Sequence, residues 1–441
     1  MRFLILGDAE IRQAVRRVAL PALAVLYGLL LLWQTMATPL RPFDENLWYL
    51  RSCRWPAECR PYGGWLYNAA VDVPAVNRWA YGAALRLSRL TELPCPRADY
   101  SKSHAQNILE GRLPPWQGVM VMRSVNVAAY LATLALLWLT ARMALGCSVG
   151  TARASAWAAL AVVPLAFSKI QVFDVVARAG PDALLAFAMA AMLAAWTYWH
   201  LRAEATSLKV VLYLGALAGL ATGAKLNGAL MVLALVGYLV AYCRGRDRLV
   251  KPLAAIGVSL VAFSLLNPVV FMGGVPPYQP LLDMIQRRLH IIGMRQEWTG
   301  PMGWLEFTRT AVPAWPVLPL FAAGLVAARR AQWFRPVAWW CALLTLGTFF
   351  SINRPVPAYL GPLELGLYFP GSLCLVWLMG RRSERDALDA LALVCRRKMG
   401  VELGGREVGV PEPRLDGGKG DPRAGSRDGK GVPERVKAQP L

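Results

Sequence analysis

The sequence predicts an all-α polytopic membrane protein, and three observations lead to this class. Hydrophobic residues make up 56% of the 441 residues and charged residues only 17%, whereas a soluble chain of this length carries more charge. The apolar residues form about ten blocks of membrane-spanning length, since a span needs roughly 20 residues. Basic residues flank these blocks, as they do at the cytosolic ends of membrane helices.

Each predicted span is an apolar block bounded by a polar connection. The first block is too long for a signal-peptide core and no clear cleavage site follows it, so it is interpreted as a helix. The third is short and is expected to continue through Ser168 and Lys169 toward Phe173. The predicted spans are residues 18–36, 124–140, 154–167, 181–199, 208–224, 226–243, 253–271, 311–328, 337–352 and 361–379.

The basic residues also predict the orientation of the spans. Every second connection is basic, for example those carrying Arg142 and Arg202, which places both termini in the cytosol. The predicted domains are a cytosolic N-terminus (1–17), a transmembrane domain (18–380) and a cytosolic tail (381–441). The tail is rich in Gly, Pro and mixed charge, so it buries too little apolar surface to fold and is expected to be mostly disordered.

Two long connections, residues 37–118 and 273–309, are predicted to face the extracytoplasmic side. Each contains a stretch with helical apolar spacing, including Trp79, Ala83 and Leu87 in the first loop. Basic residues interrupt the apolar face of that stretch, which favours a helix lying on the membrane surface over a further span. The second loop is predicted to hold a similar interfacial helix.

The net charge of +21 has two interpretations. Nucleic-acid binding requires a basic face with interleaved aromatic residues on a soluble fold. The basic residues here mostly border apolar blocks, so the sequence favours anchoring to anionic membrane lipid and no nucleic-acid partner. The cysteines form no CxxC pair and no Cys/His cluster, so no metal site is assigned. Cys53 and Cys59 either form a disulfide or remain free thiols.

The first candidate site is the acidic pair Asp44-Glu45, just past the first span. A carboxylate at a membrane surface is costly and usually functional. It can accept a proton from an attacking hydroxyl, or Asp44 can cap the helix that follows.

The second candidate site lies just before the span at 181–199. Asp182 follows Pro181 at a helix start, where an acidic residue suits the helix dipole, so a structural role is favoured for it. Asp174 has no such explanation. Arg178 can pair with Asp174 or with a phosphate group.

The third candidate site is a set of cations predicted at the outer face: Lys225, Arg354 and, in the second loop, Arg287, Arg288 and Arg295. Snorkelling toward lipid headgroups explains any one of them, and convergence on one phosphate explains several together. The sequence contains no P-loop, GxSxG or HExxH motif, so nucleotide hydrolysis and the common hydrolase mechanisms have no support.

The order of these motifs resembles the GT-C membrane glycosyltransferases, in particular the bacterial relatives of dolichyl-phosphate-mannose–protein mannosyltransferases. The motifs that carry the resemblance are the acidic pair after the first span, Val71–Gly82 in the outer loop, Ala177–Asp182, Thr222–Gly228 and Asn267-Pro268. Relatives often have Arg-Tyr before the last span, where this sequence has Pro-Val-Pro-Ala-Tyr359. That arginine is therefore either replaced by Arg354 or absent.

The resemblance implies a GT-C-like helical fold and a transferase that uses a polyprenyl-phosphate-linked sugar. The reaction would invert the anomeric carbon and transfer a hexose or pentose to a protein, glycan or lipid acceptor, on the extracytoplasmic side of a bacterial inner membrane. By position, Asp44 would be the general base, Glu45 would bind the acceptor or take that role, and Asp174 would be a second acidic group. Lys225 and Arg354, with Arg178 and Arg288, would bind the lipid phosphate. A divalent cation is left open. The alternative function is a secondary transporter or lipid flippase, which would favour inverted repeats and charges near the midplane.

Overall fold

The computed structural model describes residues 8–39, 45, 48–49, 52, 75–90, 99, 102–149, 151–267, 282–283, 286, 322, 325–326, 328–351 and 361–380. Within these residues all regular secondary structure is helical, which confirms the predicted all-α class. The chain divides into two compact units, Met1–Ala390 and Leu391–Leu441, and every described residue belongs to the first. The predicted tail therefore lies outside the described residues.

The helices, in chain order, are α1 (Asp8–Ala37), α2 (Val76–Leu87), α3 (His104–Leu109), α4 (Trp116–Val149), α5 (Thr151–Ala166), a π-helix (Ile170–Val176), α6 (Asp182–Leu201), α7 (Leu208–Ala224), a 3-10 turn (Leu226–Gly228), α8 (Ala229–Tyr242), α9 (Asp247–Leu266), α10 (Phe334–Ser351) and α11 (Gly361–Gly380).

Several of these helices are suited to a membrane. Four are long and apolar enough to cross one, and α5 with the π-helix makes a fifth if this pair, bent by 65°, counts as one span. Shorter apolar helices occupy Ala22–Ala37, Leu208–Ala224 and Leu226–Tyr242. The chain is therefore an integral membrane protein. The predicted total of ten is not confirmed, and the span expected at 311–328 lies almost wholly outside the described residues.

Several helices begin earlier than the apolar pattern predicts, and α4 and α9 show why. The helix α4 starts at Trp116 rather than at residue 124, and α9 starts at Asp247 rather than at residue 253. Each extension contains charged side chains that find partners. Arg123 is buried beside Glu45, and Lys251 pairs with Asp247 one turn away at 2.6 Å. Pairing allows a helix to continue through residues that a hydropathy pattern excludes.

The interior of the bundle is built around α6. Twelve of its residues are buried, because it packs against α4, α7, α10 and α11. Near its end, the Trp196 ring meets Tyr238 of α8 edge-on with centroids 5.0 Å apart. There His200 contacts the Tyr238 hydroxyl and the Gln332 carbonyl, each at 2.8 Å. Large apolar side chains on α1 and α9 are exposed, for example Leu26 and Leu265, as expected of surfaces that face lipid.

The helix α2 lies inside the first predicted outer loop, and its two faces differ in chemistry. The predicted apolar stripe is the exposed face, with Trp79 and Leu87 both exposed. The opposite face is buried and includes Asn77 and Tyr81. The Asn77 amide donates to the Ala224 carbonyl at the end of α7 at 2.5 Å. Polar contacts thus attach α2 to the bundle on the face opposite its exposed apolar stripe.

Glycines allow α7 and α9 to approach closely. The Ser259 hydroxyl of α9 lies 2.8 Å from the Gly215 carbonyl of α7. A Cβ added at Gly219 would lie 2.5 Å from the Ser259 carbonyl oxygen and 2.8 Å from the Ala262 Cβ. Small residues at such contacts are typical of membrane helix pairs, where backbone proximity replaces a hydrophobic driving force.

We expect Gly219→Leu to destabilise the protein by about 1–3 kcal/mol, because the added side chain overpacks a backbone contact that cannot yield. The melting temperature in detergent would fall. Gly257→Leu is the matched control, since a Cβ at Gly257 of α9 meets nothing within 4 Å. Equal melting temperatures for the two variants would contradict the packing described here.

Candidate functional site

Polar and charged side chains gather at one end of the bundle. We call this the polar end and define it by Glu45, Arg123, Arg178, Asp182 and Lys225. The end of α1, the start of α6 and the end of α7 meet here, beside Arg123 of α4. Charged groups inside a membrane bundle are costly and tend to be functional.

A buried ion pair joins Glu45 to Arg123 at this end. Both side chains are fully buried. The arginine Nε donates to Glu45 Oε1 and its Nη2 donates to Oε2, both at 2.8 Å. This bidentate geometry gives a particularly strong interaction between an arginine and a carboxylate.

Arg123 also closes the end of α1. Its Nη1 donates to the carbonyls of Thr35 and Thr38 at 2.6 and 2.7 Å, and its Nη2 donates to Pro39 at 3.2 Å. The last carbonyls of a helix lack partners within the helix and carry its negative dipole end, so a guanidinium there satisfies both. One side chain therefore fixes the end of the first span and the position of Glu45.

The loop between the π-helix and α6 is held by side chains from three different segments. The Ala179 N–H donates to Glu45 Oε1 at 2.8 Å. The Asn126 amide donates to the Arg178 carbonyl at 2.6 Å. The Tyr81 hydroxyl donates to the Gly180 carbonyl at 2.6 Å and accepts the Gly180 N–H at 3.1 Å. This loop is therefore rigidly placed at the polar end.

Tyr81 acts in this network as a neutral hydroxyl. It is fully buried, and desolvation by burial raises the pKa of Tyr81 well above its usual value. Burial disfavours the charged phenolate, so the proton stays on the oxygen at physiological pH. The tyrosine is a structural donor at this position and not a base.

Two further ion pairs border the loop. Arg178 Nη1 lies 2.6 Å from Asp174 Oδ1, and both side chains are partly exposed. Lys225 Nζ lies 2.6 Å from Asp182 Oδ1. Lys225 has an extended backbone between α7 and the 3-10 turn. The side chains of Arg178 and Lys225 are 24% and 17% exposed, so both cations are partly accessible.

The structure brings together four of the seven predicted site residues. Glu45, Asp174, Arg178 and Lys225 all lie at the polar end, and Lys225 pairs with Asp182, which fits the structural role expected for that aspartate. The other three, Asp44, Arg354 and Arg288, lie outside the described residues, as do Cys53 and Cys59. No group of three His, Cys, Asp or Glu side chains converges in the described part of the chain.

Sequence reasoning missed Arg123, Tyr81 and Asn126. Arg123 had a detectable signal, because it is a lone cation next to a long apolar block. The predicted span started one residue after it, which left it unexamined. Tyr81 and Asn126 carried no such signal, since their roles depend on contacts with residues distant in sequence.

Residues 117–271 match the family model described as dolichyl-phosphate-mannose-protein mannosyltransferase. The resemblance carried by the motifs is confirmed over this stretch. The matched stretch runs from the start of α4 past the end of α9 and contains Arg123, Asp174, Arg178 and Lys225. The match supports a membrane glycosyltransferase of the GT-C type. A comparison with curated proteins yields no match.

Two solved structures are similar at low identity. One is the Archaeoglobus fulgidus oligosaccharyltransferase in complex with Zn and sulfate, with a TM-score of 0.47, 13% identity, and coverage of 85% of this chain and 51% of that one. The other is the oligosaccharyltransferase AglB from the same organism, in complex with an inhibitory peptide and a dolichol-phosphate, with a TM-score of 0.46, 12% identity, and coverage of 89% and 53%. The chain spans about half the length of either.

Proposed function

We propose that the chain transfers a sugar from a polyprenyl-phosphate donor to an acceptor hydroxyl at the polar end. The observation that carries the proposal is the grouping, at one end of an apolar bundle, of three carboxylates and two partly exposed cations: Glu45, Asp174, Asp182, Arg178 and Lys225. The family match over residues 117–271 supports the same chemistry. By the charge of the connections, we place this end on the extracytoplasmic side of a bacterial inner membrane, with both termini in the cytosol.

The proposed reaction is a single displacement. A carboxylate takes the proton from the acceptor hydroxyl as its oxygen bonds to the anomeric carbon. The bond from that carbon to the phosphate oxygen breaks, and its electron pair leaves with the polyprenyl phosphate. Attack from the face opposite the leaving group inverts the anomeric carbon. Cations placed where charge develops on the leaving phosphate lower the barrier.

We assign the base to Asp44 and a positioning role to Glu45. The Glu45 carboxylate already accepts two bonds from Arg123 and one from Ala179, so both of its oxygens are engaged in holding the structure. Asp44 precedes it in the chain, so the buried pair anchors the backbone next to the proposed base. Asp174 is the second acidic group. Glu45, Asp174 and Asp182 are each paired with a basic side chain, and a divalent cation stays an open part of the proposal.

Lys225 and Arg178 are proposed to bind the donor phosphate, together with Arg354 and Arg288. Each of the first two is paired with a carboxylate at 2.6 Å. A phosphate entering the site would compete with Asp174 and Asp182 for these cations. Donor affinity would then be set by the strength of the resident ion pairs as well as by the phosphate contacts.

Lys225→Met is expected to raise KM for the donor about 10–100-fold, since a hydrogen bond to a charged group is worth about 1.5–3 kcal/mol. Asp182→Asn is expected to lower KM, because it weakens the competing partner of the lysine. Both would be measured from initial rates against donor concentration. Shifts of KM in the same direction for the two variants would contradict the competition.

The function itself is tested by the lipid that the protein retains. Purified protein would be analysed by native mass spectrometry after mild detergent extraction. We expect a polyprenyl phosphate or its glycosylated form bound to the wild type and reduced in Lys225→Met. Retention of bulk phospholipid alone, with no exchange for added polyprenyl phosphate, would argue against the proposal.

A further inference from the structure

A buried carboxylate outside the polar end, Glu364, joins the last helix to the π-helix. It lies in the first turn of α11 and is 1% exposed. The Ser168 hydroxyl donates to Glu364 Oε2 at 2.5 Å, and the Gln171 amide donates to the same oxygen at 3.3 Å. The donors and the acceptor are about 190 positions apart in the sequence. Both of these donors are neutral groups.

Further contacts complete this attachment. The Gln171 Nε2 also donates to the Gly361 carbonyl at 2.8 Å, one of the first residues of α11. A Cβ added at Gly361 would lie 2.9 Å from Val175 Cγ2, so the start of α11 lies directly against the π-helix. We call the set Ser168, Gln171, Gly361 and Glu364 the π-helix clamp.

The π-helix requires such outside support. A stretch of seven residues in this conformation is longer than the single-turn bulges in which π-helices usually occur. It follows a break at Ser168 that bends the chain by 65°. Because this conformation is rare, tertiary contacts are expected to stabilise it, and those with α11 are among them. Ser168 and Gln171 lie at its start, where they fix the direction in which it leaves the break.

The clamp matters for the site because of what the π-helix carries. Asp174 lies within it, and Arg178 follows two residues after its end. On the other side of the clamp, Arg354 stands seven positions before Gly361 in the sequence. The clamp thus connects the π-helix, which contains the second acidic group, to the start of α11, which follows the proposed phosphate ligand Arg354 in the sequence.

We propose that Glu364 is a positioning residue, which holds the π-helix so that Asp174 and Arg178 stay aligned at the polar end. The inference rests on the proposed function, since it explains how the groups proposed for transfer keep their geometry. The Glu364 partners Ser168 and Gln171 are not assigned to substrate. Glu364 acts indirectly, through the carboxylate oxygen that accepts hydrogen bonds from both Ser168 and Gln171.

The test compares Glu364→Ala, Glu364→Gln and the control Ser372→Ala. Ser372 is also buried in α11, two turns farther along, away from the clamp. The first readout is hydrogen–deuterium exchange of residues 168–178 in wild type and variants, without substrate. The second is kcat and KM for a polyprenyl-phosphate-sugar donor, with the pH profile of kcat.

We expect Glu364→Ala to speed exchange in residues 168–178 at least severalfold and to lower kcat about tenfold or more, because small misplacements of reacting groups have such costs. Its KM would change little. Glu364→Gln keeps an acceptor oxygen, so it should restore protection and most of the turnover with an unchanged pH profile. Ser372→Ala should behave as wild type.

Two results would overturn the proposal. Unchanged exchange and turnover in Glu364→Ala would show that the clamp does not hold the π-helix. Equal loss in Glu364→Gln and Glu364→Ala, with a shifted pH profile, would mean that the charge itself takes part in the reaction. If the wild type transfers no sugar, the proposed function fails, while the exchange measurement still decides the clamp.

Discussion

Arg123→Ala is expected to destabilise the protein by about 3–5 kcal/mol, the usual result of leaving one partner of a buried ion pair uncompensated. The substitution removes two bonds to Glu45 and three to carbonyls of Thr35, Thr38 and Pro39. It leaves the end of α1 and the Glu45 carboxylate without these donors. Thermal unfolding in detergent, monitored by size-exclusion chromatography, would show a large fall in melting temperature.

The control for this prediction is another arginine on the same helix. Arg142 is exposed and stacks over the Trp138 ring at 5.5 Å, so Arg142→Ala should cost about 1 kcal/mol or less. The double variant Arg123→Met with Glu45→Met should be more stable than Arg123→Ala, because no buried charge is left unpaired. A melting temperature for Arg123→Ala equal to that of Arg142→Ala would disprove the structural role of the pair.

Asp44→Asn is expected to abolish sugar transfer while the protein keeps its wild-type melting temperature. A general base contributes about 10²–10⁴-fold to the rate, so turnover should fall by at least that range. Glu45→Gln should behave differently, because it removes the charge that balances Arg123 in a fully buried site. We expect Glu45→Gln to unfold at lower temperature, with any loss of activity following from that instability.

Melting temperature and turnover, measured on the same variants, thus distinguish the roles of the two neighbouring carboxylates. A stable but inactive Glu45→Gln, paired with an active Asp44→Asn, would reverse the assignment and make Glu45 the base. Full activity in both variants would remove the acidic pair from the reaction altogether.

The sequence was sufficient to predict the helices that lie between clear polar breaks. The helix α7 was predicted at residues 208–224 and occupies Leu208–Ala224. The helix α6 was predicted from residue 181 and starts at Asp182, because Pro181 and an acidic residue mark a helix start. These signals are local, since each depends on neighbouring residues along the chain, and sequence patterns detect such signals well.

The contacts that organise the candidate site are not local. Arg123 and Glu45 are 78 positions apart, and Glu364 lies 196 positions from Ser168. A pattern of apolar and charged residues indicates that a buried charge needs a partner but does not identify it. Such patterns also do not predict the π-helix, because helix propensity does not distinguish it from an α-helix.

The sequence indicated a partner for one of the two cations, Arg178, but not for Lys225. The sequence left Arg178 to pair with Asp174 or with a phosphate, and in the structure it is paired with Asp174, one helical turn away. The partner of Lys225 did not follow, because Asp182 lies 43 positions away on another helix. The proposed competition between that aspartate and a phosphate therefore follows from the folded structure and not from the sequence.

The most direct test of the account is to follow the bond between sugar and phosphate in sealed proteoliposomes. Wild-type protein would receive a polyprenyl-phosphate donor labelled in the sugar, with and without acceptor, and free polyprenyl phosphate would be quantified. We predict acceptor-dependent release of polyprenyl phosphate in equal amount to the sugar transferred, with an inverted anomeric configuration in the product. Movement of the intact labelled lipid across the bilayer without bond cleavage would contradict the account and indicate a flippase.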